Sequence, residues 1–546
     1  MRAAQRRPMR DGAPPASRKR RAPVAGQALR LELDRAPEAP PLYRQIRDGV
    51  RAAVLSGMLS PGTRLPPERE MAAMLGVNRT TTMRAYQELV ADGVVEARPG
   101  RGTVVCRPPR QDGAPSGLYD RSVWPGGTQA SWLLELPALG RGNLGPDPTL
   151  LRDISALSGR RDLISFAAGS PAPDLIPLAA LQQAVARGLE RMGAMGLAYG
   201  PVEGLDALRL ALAERLAQRG VAVAPDEILI LSGATQGLAL AAHALVEPGD
   251  EIVVEAPTYV GMLQTFSVAG ARLIGVPVDE HGLRVDLLPP ILTRRRVRLI
   301  LVQPTLHNPT GVTLSPARRE RLLSLARRFG VPILEDEIYA DLWNDGAAPP
   351  PLKALDRDGL VLHLSSCSKT VAPGLRVGWL AASAPVVARL ALAKQFSDLN
   401  TTNLGQLTLA EFLGSGDYDR HLARLRFAYA ERRALMLDGL RAAERYLQVT
   451  PGAPGGFYLW CRLLGGSHAR LLSTAAVREG VAVLAGEAFY PPGLGQDGRD
   501  HIRLSFSGTT PPEIVTGLSR LRSALERLPG SLDAAERADH RLRPVV

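Results

Sequence analysis

The stretch SSCSKTVAPGLRVGW, residues 365–379, decides how this chain is read. At its centre is Lys369. Lysine is scarce here: of 66 Lys and Arg residues only four are lysines, namely Lys19, Lys353, Lys369 and Lys394. The chain uses arginine almost everywhere a plain positive charge is wanted. Arginine stays protonated and cannot form a Schiff base, whereas lysine can. Lys369 follows Ser366 and Ser368 closely and precedes Arg376 by seven residues. A Schiff-base lysine beside a phosphate site needs such hydroxyls and such an arginine. A surface lysine in a polar loop is the competing reading.

Three further elements lie upstream. SGATQG (232–237) follows an apolar run and opens a helical pattern. Its small residues let the backbone approach a phosphate, and a helix N-terminus favours an anion. HNPTG (307–311) follows LILVQP and puts Asn308 at the C-terminal edge of a strand, where ligands bind in open α/β sheets. An ordinary Asn-Pro turn reads the same way. VPILEDEIY (331–339) is an apolar strand ending in acids, and Asp336 there is placed to pair with a ring nitrogen or to lie in a solvated loop. From about residue 161 onward, apolar runs at 227–231, 251–255, 298–302, 331–334 and 361–364 alternate with amphipathic helical patterns. That alternation predicts an α/β domain with a mostly parallel sheet, followed from about 428 by a smaller α/β lobe.

Bulk properties bound the function. At 546 residues the chain needs more than one core, and 45 % hydrophobic with 22 % charged residues is globular composition, which excludes fibre and disorder. No run of eighteen apolar residues is free of charge, so no membrane-spanning helix is expected. The Arg-rich start lacks an apolar segment behind it and does not read as a secretory signal. Cys106, Cys367 and Cys461 are far apart and form neither a disulfide framework nor a zinc motif. The expectation is a cytoplasmic protein with reduced thiols and no metal site. Of the formal net charge of +12, residues 1–110 hold 21 basic against 10 acidic residues, a net +11. A basic excess confined to one end fits polyanion binding, or a solvated tail.

That basic end divides further. Residues 1–28 are rich in Arg, Pro and Ala and read as a disordered arm. Leu42, Ile46, Val50 and Val54 recur every four residues and predict a first helix. Pro61-Gly62 is a turn, Pro67 suits the first turn of a second helix running to Leu75, and Gly76 breaks it. Asn78 caps a third helix with Met83, Tyr86, Leu89 and Val90 on its buried side, and Gly93 ends it. VVEARPGRGTVV (94–105) reads as two short strands about a Pro-Gly turn. This is a winged helix-turn-helix pattern. Arg79, Thr80 and Thr81 open the third helix, where side chains reach the major groove. Arginine pairs with guanine through two hydrogen bonds, threonine hydroxyls suit phosphate, and Arg101 at the wing tip suits the minor groove. A small helical domain with solvated arginines is the alternative.

The order of residues over 41–105 resembles the GntR-type winged helix, in LPPER (65–69), LGVNR (75–79), Ala85-Tyr86 and GRGTVV (100–105). The resemblance implies DNA contacts by Arg69, Arg79, Thr80 and Thr81, with Arg84 a further candidate. Thr82 stands where that family usually has an apolar residue. Either the helix packs loosely there or the hydroxyl finds a partner.

From about 163 the chain is similar to fold type I, pyridoxal phosphate (PLP)-dependent aminotransferases. The similarity runs through YGPVEGLDALR (199–209), SGATQG, PTY (257–259), NPTG, EDEIY, 365–379, GGFYLW (455–460) and IRLSFS (502–507). The resemblance implies that Lys369 holds PLP as a Schiff base and acts as general base. It places Asp336 on the pyridinium nitrogen, Asn308 and Tyr339 on the phenolic oxygen, and Tyr259 against the ring. Ala234, Thr235, Ser366, Ser368 and Arg376 would hold the phosphate, joined by Tyr199 from a second subunit. Arg503 would clamp a substrate carboxylate.

The two halves together resemble the MocR/GabR-type regulators. The expected division is a basic arm (1–28), a winged helix (38–107), a linker and docking arm (108–160) with Trp132, Leu133 and Leu134, a PLP domain (161–528) and a tail (529–546). The resemblance implies a domain-swapped, head-to-tail homodimer that binds a double-stranded DNA operator and responds to an amino acid or amine effector. A working aminotransferase with a DNA-binding appendage is the rival expectation.

Overall fold

The computed structural model describes residues 33–35, 40–55, 59, 63–91, 94–98, 102–105 and 162–528. The expected arm (1–28), linker and docking arm (108–160), tail (529–546), Pro61-Gly62, Gly93, Arg101 and Cys106 lie outside the described residues. The chain forms two compact units, divided after Ala130.

In the first unit, α1 (Leu42–Leu55), α2 (Glu68–Leu75) and α3 (Arg79–Ala91) precede an antiparallel pair, β1 (Val95–Arg98) and β2 (Gly102–Val105). Ile46 and Val50 of α1 are fully buried, and Val50 shares a cluster with Leu65, Met71, Tyr86 and Leu89. Gly76 ends α2 with φ +60°, and Val77 N returns to Ala72 O. That left-handed residue suits glycine because a side chain there is crowded by its own carbonyl. Asn78 caps α3: its Oδ1 accepts from Thr80 N at 3.1 Å. Tyr86 donates its hydroxyl to Pro66 O at 2.8 Å and pins α3 to the strand-like entry into α2.

The buried side of α3 departs from the expected one. Thr82, Ala85, Tyr86 and Leu89 are buried, whereas Val90 is 41 % exposed. Thr82 is fully enclosed and its hydroxyl has no hydrogen-bond partner among the described residues.

The second unit is built on an eight-stranded sheet. Its strands are β4 (Ile228–Leu231), β5 (Glu251–Ala256), β6 (Arg272–Asp279), β7 (Gly282–Leu283), β8 (Val297–Val302), β9 (Ile333–Asp336), β10 (Val361–Ser366) and β11 (Gly378–Ala381). The order is β4-β11-β10-β9-β8-β5-β6-β7. Strands β10, β9, β8, β5 and β6 run parallel, as the strand–helix alternation requires. The sheet as a whole is mixed, because β11 inserts antiparallel between β10 and β4, and β7 folds back on β6. The central strands are buried on both faces, with Val254, Leu301 and Leu334 enclosed on one and Val253, Ile300 and Ile333 on the other. This is what helices on both sides of a parallel sheet demand.

A smaller antiparallel sheet orders β12 (Leu447–Val449), β13 (Tyr458–Leu463), β16 (His501–Ser505) and β15 (Leu484–Ala485). The smaller lobe is not drawn from the C-terminal part alone. β3 (Ile164–Ser165) pairs in parallel with β14 (Val481–Ala482), and Phe166 O accepts from Ser505 N at 2.8 Å. Residues 164–170 are thereby laid across the gap between the two sheets.

An enclosed hydroxyl without a partner is destabilising. Thr82→Val should therefore stabilise the first unit by about 1–2 kcal/mol. Slower amide hydrogen exchange across α3 in the full-length protein would show it. Unchanged or faster exchange would contradict the packing described.

Candidate functional site

Four strands deliver chemistry to one edge of the large sheet. β4 leads through Ser232 and Gly233 into the helix Ala234–Leu245. β8 leads to Asn308, β9 ends on Asp336, and β10 ends on Ser366, three residues before Lys369. The parallel register makes these ends coincide. Between them and the smaller lobe lies a cavity of about 330 Å³. Its walls include eleven of the twelve residues expected to meet the cofactor and substrate: Ala234, Thr235, Tyr259, Asn308, Asp336, Tyr339, Ser366, Ser368, Lys369, Arg376 and Arg503. The twelfth, Tyr199, stands apart with 83 % of its surface exposed.

The first wall is an anion cradle. Gly233 caps the helix Ala234–Leu245 with φ +110°, and a Cβ on it would stand 2.7 Å from an Arg376 nitrogen. Only glycine permits both that dihedral and that approach. Arg376 donates to Ser232 O at 2.7 Å and takes φ +52°, a left-handed conformation that costs a non-glycine residue about 1 kcal/mol. Ser366 Oγ lies 2.9 Å from both Val377 O and Ser368 Oγ. The first-turn amides of the helix, an arginine and two serines are a donor set for a phosphate.

Lys369 is the second feature. Its Nζ donates to Gly169 O at 2.6 Å. The two other described lysines pair with acids, Lys353 with Asp356 and Lys394 with Asp398. Lys369 has no such ion pair among the described residues. Burial lowers its pKa, Tyr458 and Asp336 oppose the shift, and Arg503 adds to it. A lysine so placed gives up its proton more readily than a solvated one.

Asp336 is 3 % exposed, and Ile338 N donates to its Oδ1 at 3.3 Å. Burial pushes its pKa up to about 7. A cationic ring nitrogen would supply the missing countercharge. Above the cavity Arg503, on β16, donates to Asn308 Oδ1 at 2.9 Å and to Ala167 O. Its guanidinium lies 4.2 Å from the Tyr458 ring centroid and 5.0 Å from that of Phe489. Its Nε is buried and unpartnered. That free donor suits one oxygen of a carboxylate.

Lysine, buried acid, phosphate cradle and carboxylate clamp fit PLP bearing an amino acid. Two contributors were not singled out from the sequence. The backbone of Ala167 and Gly169 comes from residues 164–170, and Tyr458 lies 2.8 Å, hydroxyl to hydroxyl, from Tyr339. GGFYLW marked the segment, but no local signal gives Tyr458 a partner 119 residues away.

The first unit presents a second candidate site. Arg69, Arg79 and Thr80 are exposed and Thr81 is half-buried, all in the first turns of α2 and α3. The two turns are joined by Arg79 and Glu68 at 3.5 Å. Arg84 is exposed but engaged: its guanidinium lies 3.9 Å from the Tyr43 ring centroid, 3.7 Å from Glu88.

These two sites define a DNA-binding domain joined to a PLP-dependent aminotransferase fold. The chain matches the bacterial regulatory proteins of the gntR family over 42–105 and the aminotransferase class I and II family over 161–521. It belongs to the family in which the two are fused, the MocR-type regulators. It is 31 % identical to the uncharacterized HTH-type transcriptional regulator YdfD of Bacillus subtilis, over 89 % of this chain and 97 % of that protein. It is 33 % identical to the HTH-type transcriptional regulator TauR of Rhodobacter capsulatus, over 89 % and 96 %. Among solved structures it is similar to LysN, an alpha-aminoadipate aminotransferase of Thermus thermophilus complexed with N-(5'-phosphopyridoxyl)-L-leucine. There the TM-score is 0.64 and the identity 34 %, over 69 % of this chain and 94 % of that one. PLP is the cofactor of this fold.

Asp336 makes a pH prediction for the cofactor-free protein. Its folded pKa is raised from an ordinary value near 3.8, so the folded state holds a proton that the unfolded chain has released. Stability is therefore lost as pH rises from about 4 through about 7, by roughly 4 kcal/mol at most. Asp336→Asn should flatten that part of the pH profile of the denaturation midpoint, and an unaltered profile would contradict it. On the DNA side, Arg79→Ala should weaken operator binding by about 1–3 kcal/mol. Titrations at fixed salt would test this, and an unchanged affinity would remove Arg79 from the interface.

Proposed function

We propose that this chain is a PLP-dependent transcriptional regulator that senses an amino acid or related amine in the cytoplasm and changes its grip on an operator. The observation that carries the reading is one cavity lined by eleven of the twelve expected cofactor and carboxylate residues, on a chain whose other unit is a gntR-family winged helix. The division proposed is a winged helix at 38–107, a linker and docking arm at 108–160 and the PLP domain at 161–528, flanked by an arm and a tail.

Bound PLP supplies an electron sink and an aldehyde carbon that an amine can capture. The chain's residues do the rest. Lys369 would hold the cofactor through its Nζ and would supply a base at that end of the cavity. Asp336 gives up its proton to balance the ring nitrogen's charge. Ala234, Thr235, Ser366, Ser368 and Arg376 hold the phosphate, Tyr259 faces the ring, and Asn308 and Tyr339 hold the phenolic oxygen. Arg503 selects for a carboxylate. Tyr199 reaches the phosphate of a second subunit; its exposure, with that of neighbouring Leu197, supports a homodimer. Arg69, Arg79, Thr80, Thr81 and Arg101 contact DNA, with Arg84 held closer to Tyr43. Two winged helices in a dimer read two half-sites. If the effector prefers one arrangement of the dimer, DNA affinity shifts by that difference.

A second reading has its own support. Lys369 and Arg503, with its free Nε, are what amino-group transfer needs, so at least a half-reaction is chemically open. Rapid turnover of an amino acid with a keto acid, unaffected by deleting 1–127, would favour the enzyme.

Fluorescence anisotropy of the PLP-loaded protein on DNA from its own upstream region tests the regulator. The expected result is saturable, sequence-selective binding that shifts with one compound in an amino-acid panel. Lys369→Ala should keep operator affinity within about threefold yet lose that shift. Binding no tighter than to scrambled DNA, with only a steep salt dependence, would contradict it.

A further inference from the structure

We infer that Tyr458 is a positioning residue that ties the carboxylate clamp to the groups holding the cofactor's phenolic oxygen. The inference rests on the cofactor reading given above and deepens it. Tyr458 is 5 % exposed and sits on β13, opposite Ser505 of β16, in the sheet that carries Arg503. One face of its ring supports the Arg503 guanidinium at 4.2 Å. Its hydroxyl is 2.8 Å from the Tyr339 hydroxyl. The same hydroxyl abuts Gly169, where a Cβ would lie 1.8 Å from it, and Gly169 O accepts from Lys369 Nζ at 2.6 Å. One side chain thus adjoins the carboxylate clamp, the phenolic-oxygen donor and the glycine whose carbonyl holds the lysine.

The chemistry follows from the donors available. Tyr339 has one hydroxyl proton. If it is given to the cofactor's oxygen, the Tyr339 oxygen is left as an acceptor in a buried place, and Tyr458 is the donor within reach. Burial, and then Tyr458 beside it, pushes the Tyr339 pKa well above its usual value, so the phenol stays protonated and remains a donor. A donor chain of Tyr458 to Tyr339 to the oxygen draws electron density from that oxygen. It thereby lowers the proton affinity of the nitrogen at the Lys369 end. The charged and titratable groups facing Tyr458 are Tyr339, Arg503, Lys369 and Tyr259, with Asp336 in the same cavity. Arg503 bears on the same nitrogen, because its charge lowers the Lys369 pKa. A carboxylate seated on Arg503 cancels that charge. Tyr458, holding Arg503 by its ring and Tyr339 by its hydroxyl, fixes the geometry in which the two effects meet.

The test is a spectrophotometric pH titration of the cofactor band in the PLP-loaded full chain. It compares the protein with Tyr458→Phe, Tyr339→Phe and the double variant, each with and without 3-phenylpropionate, a carboxylate that carries no amine. Tyr458→Phe should raise the titration midpoint by about half to one pH unit. The double variant should shift by less than the sum of the singles, because both act through one hydroxyl chain. The retained ring should keep 3-phenylpropionate affinity within about twofold, whereas Tyr458→Leu should weaken it roughly tenfold. An unmoved midpoint in Tyr458→Phe, or strictly additive shifts, would overturn the inference while the cofactor reading stands. Absence of a titrating band in the unaltered protein, or its persistence in Lys369→Ala, would overturn the cofactor reading and this inference with it.

Discussion

Asp336 is a carboxylate held out of water at the end of a central strand, and the site is organised around the countercharge it lacks. β9 lies between β8 and β10, and all three run parallel, so the backbone that carries Asp336 is fixed on both sides. In that position burial raises the carboxyl's pKa to about 7. A cation from a ligand would favour the ionised form at lower pH, and a pyridinium is such a cation. The same strand ends bring Lys369 and the helix at Gly233 to the same edge. The sheet topology, more than any local feature, makes one site of residues scattered from 169 to 503.

The rest of the cavity has the opposite sign. Arg376, Arg503 and a helix N-terminus converge on about 330 Å³. Anions offset such a concentration of positive charge, and a phosphate at one end with a carboxylate at the other would do so. The lobe that carries Arg503 is stitched to the large sheet by residues 164–170, through Ala167 and Gly169. A ligand that occupies both ends therefore bears on both sheets at once. Among the described residues no helix is long and apolar enough to cross a membrane, and no cluster of metal-ligating side chains is present.

Much of this was legible in the sequence, for identifiable reasons. The scarcity of lysine isolated Lys369, and the structure gives the other described lysines ordinary acid partners. The five apolar runs match β4, β5, β8, β9 and β10 because buried parallel strands are apolar on both faces. The parallel core was legible, but the antiparallel insertion of β11 was not. β11 is four residues long, and its antiparallel place between β10 and β4 depends on partners far away in the chain. The buried face of α3 was misjudged at Val90, since a single step of the helix moves a residue from core to solvent and Thr82 took a place on the buried side. Tyr458 went unassigned because its role depends on Tyr339, Gly169 and Arg503 meeting in space.

Regulation in this account is a coupling of two equilibria, and coupling is reciprocal. Whatever factor the effector imposes on operator affinity, the operator must impose on effector affinity. The most direct measurement is a titration of the PLP-loaded protein with its amino compound, followed through the cofactor absorbance, with and without saturating operator DNA. The account predicts two displaced curves, whose ratio of midpoints equals the effector-induced change in operator affinity. Superimposable curves would contradict it and leave a PLP domain and a DNA-binding domain that share a chain without sharing a function.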